Sequence, residues 1–120
     1  MKRKILIVDD DDQIRNLLMA LLRNPDFEVD TASNGEEALK LIENKYYDLV
    51  ITDYDMPKMN GEEFLKNIKK RFPNKNSIGI TSTTHEKALY RAGADLCIHK
   101  PFTLQEINSV VSRFINDQYV

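Results

Sequence analysis

The chain has 120 residues, 42% hydrophobic and 30% charged, which is the make-up of an ordinary globular domain and excludes a disordered or membranous one. A formal net charge of −2 argues against direct nucleic-acid binding, which needs clustered Lys and Arg to neutralise phosphates. Cys97 is the single cysteine, so no internal disulfide can form, and the apolar runs fall far short of the roughly 20 residues that cross a bilayer; the expected location is cytoplasmic, without membrane insertion.

Runs rich in β-branched residues alternate with segments of helical period, the pattern of βα units stacked into a parallel sheet. Residues 4–8 read as a buried central strand, followed by a one-sided helical stripe of Ile14, Leu17, Leu18, Leu21 and Leu22. Residues 27–32 alternate in the manner of an edge strand. Ser33 stands three before Glu36, a capping-box spacing that opens a helix burying Ala38, Leu39 and Ile42. Residues 48–52 form a third strand, and Pro57 and Gly61 punctuate the loop before a helix that carries Phe64, Leu65, Ile68 and Phe72 and stops at Pro73. A basic cluster near its end, Lys66, Lys69, Lys70 and Arg71, suits the negative pole of a helix C-terminus. Residues 77–81 make a weaker fourth strand, the helix near 86–92 is short, and Gly93 suits its C-terminal cap. Residues 96–99 are a fifth strand. Thr103 and Glu106 repeat the capping-box spacing ahead of Leu104, Ile107, Val110, Val111 and Phe114.

Ligands of open parallel α/β sheets bind beyond the carboxyl ends of the strands, so the polar residues that end each strand carry the information. These are Asp9 and Asp10, then Asp53, Thr81 and Lys100. Carboxylates gathered there would repel one another and raise one another's pKa unless a cation joined them. Oxygen ligands select a hard ion, and Mg²⁺ fits best because it needs few protein ligands. Zinc fits poorly, since His85 and His99 lack partners at ligand spacing. A carboxylate beside Mg²⁺ can attack phosphorus, with Lys100 offering an ammonium and Thr81 a hydroxyl. Asp53 stands alone at its strand end and suits the nucleophile, although spacing by itself does not separate ligand from nucleophile. Asp11 and Asp12 also suit plain capping of the first helix.

With these residues assembled, the sequence resembles the receiver domain of bacterial two-component response regulators. The resemblance rests on six pieces in order: residues 5–10 (ILIVDD), 48–53 (DLVITD), 55–61 (DMPKMNG), 80–82 (ITS), 92–95 (AGAD) and 100–102 (KPF). It covers essentially the whole chain and implies a single receiver domain, 1–120, with the flavodoxin-like 2-1-3-4-5 sheet and helices on both faces. It further implies that Asp53 accepts a phosphoryl group from a sensor histidine kinase or phosphotransfer protein. Asp10, Asp53 and the backbone carbonyl of Asp55 would hold Mg²⁺, with Asp9 acting through a metal-bound water. Thr81 and Lys100 would engage the phosphoryl group, and Lys100-Pro101 would be a cis bond. Two departures stand out. Cys97 occupies a position where the family carries Tyr or Phe, and the segment from Thr81 to Ala92 is about one helical turn short.

The resulting expectation is a phosphorylation-dependent switch more than an enzyme, passing its signal to an effector protein, since no effector domain follows Phe114. The alternative is a pseudo-receiver, an interaction module without phosphorylation, which would be expected to lack Asp53, Lys100 or the acidic pair. Asp55 and Thr83, each two residues after a site residue, are expected to border the site and tune the lifetime of the phosphoryl group.

Overall fold

The computed structural model describes residues 2–115. Five βα units follow in order: β1 (Arg3–Val8), α1 (Asp12–Leu21), β2 (Phe27–Ala32), α2 (Gly35–Asn44), β3 (Leu49–Asp53), α3 (Gly61–Arg71), β4 (Asn76–Thr81), a 3-10 turn (Thr83–His85), α4 (Glu86–Ala92), β5 (Leu96–His99) and α5 (Leu104–Ile115). All strand pairs are parallel and the order across the sheet is β2-β1-β3-β4-β5, as the resemblance implied.

Alternation along the strands feeds two separate cores. Leu6, Val8 and Val50 face α2, α3 and α4, meeting Ala38, Phe64, Leu65 and Leu89. Ile5, Ile7, Ile51, Ile78 and Ile80 face α1 and α5, meeting Leu18, Leu22, Ile107 and Val111. The chain therefore leaves β1 toward one face and β3 toward the other, which opens a crevice at the carboxyl ends of these neighbouring strands.

Several local expectations need correction. α2 is capped by Asn34, whose side chain accepts from the Glu37 N–H at 2.9 Å; Ser33 instead donates to the Glu37 carboxylate at 3.1 Å. Asn is as good an N-cap as Ser, so the spacing alone could not place the boundary. Leu17 is 45% exposed, because at roughly 100° per residue it lies a full step around α1 from buried Leu18. Leu104 is half-exposed as the first residue of α5, one turn ahead of fully buried Ile107. The box at Thr103 and Glu106 forms in both directions, with each residue's side chain accepting from the other's backbone N–H at 3.1 Å.

Outer strand β2 is held by charge as well as by its ladder. Buried Tyr47 donates its hydroxyl to Asp30 at 2.6 Å, and burial, helped by Asp30, pushes the phenol's pKa upward. Lys45 pairs with Asp30 at 2.9 Å and Glu28 at 3.5 Å, and Lys4 reaches Glu28 at 4.0 Å. Among the described residues no helix is long and apolar enough to cross a membrane.

Candidate phosphoacceptor and cation site

β1 delivers Asp9 and Asp10 to the crevice, and β3 delivers Asp53 beside them. Carboxylate oxygens of these three residues lie within 4.8 Å of one another. Asp9 is fixed from several sides. Its Oδ1 accepts from the Asp11 N–H at 2.9 Å, and its backbone carbonyl accepts from the Arg15 guanidinium at 2.6 Å. Arg15 also pairs with Asp12, while the Asp11 side chain caps α1 by accepting from the Gln13 N–H. Asp11 and Asp12 thus serve the helix start, and Asp10 stays exposed at the mouth.

Asp53 is 5% exposed and ion-paired, its Oδ1 lying 3.0 Å from the Lys100 ammonium, which is itself 3.7 Å from Asp9 Oδ2. Lys100 stands just after β5, and its bond to Pro101 is cis. Burial pushes Asp9 up to about 6, opposed by the Asp11 N–H and reinforced by the Asp53 charge. Asp53 is raised by burial against the pull of Lys100. Burial alone would lower Lys100, but its hydrogen bond and charge pairing with Asp53 outweigh that and hold it above the usual lysine range.

At the site, buried Asp9 Oδ2 and Thr81 Oγ1 have no hydrogen-bond partner among the described residues. Buried polar groups are nearly always satisfied, so an orphaned carboxylate oxygen in an acidic cluster fits a bound cation, and an orphaned hydroxyl at the end of β4 fits an arriving acceptor. An all-oxygen donor set of few protein ligands matches Mg²⁺, which completes its shell with waters and phosphate oxygens. The Asp55 carboxyl is exposed and stands outside the cluster, so only its backbone carbonyl is a ligand candidate. Placement of the Thr83 side chain lies outside what the structure describes.

The loop after Asp53 is anchored by backbone bonds, Tyr54 N–H to Ile80 at 3.2 Å and Gly61 N–H to Tyr54 at 2.8 Å. Gly61 has no substitute here, because a Cβ would sit 2.3 Å from the Asp53 carbonyl oxygen. Features that sequence reading missed come from contacts between loops. Tyr54 stacks on His85 at 3.9 Å between ring centres, joining the loops that follow β3 and β4. Tyr90 of α4 accepts from the Cys97 N–H at 3.1 Å, so an aromatic from the helix borders the strand position where Cys97 stands. The Cys97 thiol is pushed up to about 11, chiefly by burial, which keeps it protonated and inert. No periodicity signals such pairs.

Comparison with known proteins agrees with this architecture. The family described as "Response regulator receiver domain" matches residues 5–112. The chain is 42% identical over 107 residues to the transcriptional regulatory protein CpxR homolog of Haemophilus influenzae, covering 87% of this chain and 46% of that protein. It is 36% identical over 118 residues to the alkaline phosphatase synthesis transcriptional regulatory protein PhoP of Bacillus subtilis, covering 96% and 49%. The chain therefore spans about half the length of these curated relatives. Among solved structures, a response regulator receiver domain protein from Clostridium thermocellum superposes with a TM-score of 0.86 at 34% identity, covering 98% of this chain and 97% of that one.

Proposed function

Because this chain belongs to the response regulator receiver domain family, we propose that it is a switch thrown by phosphorylation of Asp53. The observation that carries the reading is the pairing of buried Asp53 with Lys100 at 3.0 Å beside the acidic cluster of Asp9 and Asp10. An Asp53 carboxylate oxygen forms the new bond to phosphorus as the phosphorus–nitrogen bond of a phosphohistidine breaks, and the leaving imidazole takes up a proton. Lys100 stays against the phosphoryl oxygens, and the free hydroxyl of Thr81 donates to one of them. Asp9, Asp10, Asp53 and the Asp55 carbonyl would hold Mg²⁺, which when bound neutralises the transferring oxygens. Burial of Asp53 limits the entry of hydrolytic water and so favours a phosphoryl group that outlives the transfer.

The donor in this reading is a sensor histidine kinase or phosphotransfer protein, and residues 1–120 act as one cytoplasmic receiver domain whose phosphorylated surface recruits an effector protein. An open apolar recess of about 370 Å³, lined by Ile14, Leu17, Pro101 and Phe102 next to Lys100, suits the docking of the donor domain. Incubation with acetyl phosphate and Mg²⁺ followed by intact-mass measurement tests the chemistry: one added phosphoryl group is expected on the wild type and none on Asp53→Ala. Equal labelling of both proteins, or no labelling of either, rejects the proposal. Leu17→Ala is expected to slow transfer from a phosphorylated donor domain severalfold while leaving the rate with acetyl phosphate unchanged.

A further inference from the structure

Where α2 and α3 end, the segments 42–46 and 71–75 enclose an open cavity of about 610 Å³, within the range of roughly 300–1,000 Å³ typical of small-ligand sites. It lies at the amino end of β3, whose five residues at roughly 3.3 Å each carry the chain about 15 Å away to Asp53. The walls combine Ile42 and the rings of Tyr46 and Phe72 with four charged side chains. Three of the four are neutralised locally: Arg71 pairs with Glu43 at 2.9 Å, and Lys45 is held by Asp30 and Glu28.

Lys75 is the exception. It is 7% exposed, and among the described residues no carboxylate comes within ion-pair distance of it. Its ammonium donates to the Tyr47 carbonyl at 2.6 Å and lies 3.9 Å from the centre of the Tyr46 ring and 5.6 Å from that of Phe72. Burial holds its pKa below the usual lysine range, with the Asp48 charge opposing. An ammonium has three donors, and one carbonyl with two ring faces leaves capacity for an anionic acceptor. Tyr46 is 66% exposed, a large ring in water beside a buried cation.

We propose that this cavity binds a small planar carboxylate, its charge on Lys75 and its apolar body against Tyr46, Phe72 and Ile42. A single negative charge matches the one charged side chain of the cavity wall that lacks an ion pair. A multiply charged anion is disfavoured by the carbonyl ends of α2 and α3, which close the same cavity. The apolar walls favour an organic ion over an inorganic one.

Titration of the ¹⁵N-labelled full chain with benzoate, with neutral benzamide as the matched control, tests the site without reference to Asp53. Benzoate is expected to give saturable shifts centred on residues 44–47 and 71–75, and benzamide none. Lys75→Met keeps the stem and removes the charge, and should weaken benzoate binding by about tenfold or more. Tyr46→Ala, at a 66% exposed position, should weaken it severalfold and serves as the deciding variant if Lys75→Met does not fold. Absence of saturable shifts, shifts centred on Lys100 instead, equal response to benzamide, or unchanged affinity in a folded variant overturns the proposal.

Discussion

Asp9 is an acid kept 1% exposed with one carboxylate oxygen lacking a hydrogen bond, and its pKa of about 6 sets a direction for the pH response. Below about pH 4 it is protonated in both folded and unfolded chains and contributes nothing. Between about 4 and 6 the unfolded chain loses this proton while the folded one retains it, so stability falls as pH rises, by up to about 3 kcal/mol above that window. Denaturant unfolding of metal-free wild type and Asp9→Asn across pH 4 to 7 checks this: the wild type should lose ground relative to the variant as pH increases, and Mg²⁺ should restore it. A difference that is flat with pH would contradict the assignment. Gly61 makes a second prediction at this scale. Gly61→Ala drives a Cβ into the Asp53 carbonyl and the Tyr54 backbone, neither of which can yield as a side-chain end would. An overpacking cost of about 1–3 kcal/mol is expected in urea denaturation, together with slower labelling of Asp53. Of these residue-scale facts, the sequence displays the acids and the glycine but not the orphaned atoms. Those depend on where neighbouring strands bring their ends.

Elements were legible where periodicity and length agreed. Each of the five strands lies within a residue of its sequence-predicted run at either end, because β-branched runs bounded by polar residues leave little choice. Boundaries set by capping were legible only where one candidate stood alone, as Thr103 does; Ser33 and Asn34 compete, and the side chain nearer the first turn wins. Asn34→Ala should therefore cost about 1 kcal/mol and Ser33→Ala much less, a contrast that thermal unfolding of the pair resolves. The seam between α4 and β5 rests on long-range contacts that no spacing announces. Tyr90→Phe removes the acceptor of the Cys97 N–H, on the outer side of the edge strand, and should speed exchange of that amide roughly fivefold. Unaltered exchange would mean that the hydroxyl does not fasten the helix there.

At the scale of the whole molecule, the sheet order and the two cores follow from alternation along β1, β3 and β4, and the crevice follows from the opposite departures after β1 and β3. The acidic site is therefore legible from the strand ends in the sequence, whereas the cavity around Lys75 is not. Its walls come from helix termini and loops, whose mutual approach depends on the closing of the fold. Phe64→Ala and Ile51→Ala, one in each core, should each destabilise by about 3–5 and 2–5 kcal/mol respectively, measured by chemical denaturation. The charged outer rim of β2 bears on crowding. A foreign strand seeking to extend the sheet would have to align against Glu28 and Asp30 and dislodge Lys4 and Lys45 from them, while β5 on the opposite margin offers only four residues as a template. Both margins of the sheet thus discourage the addition of a further strand.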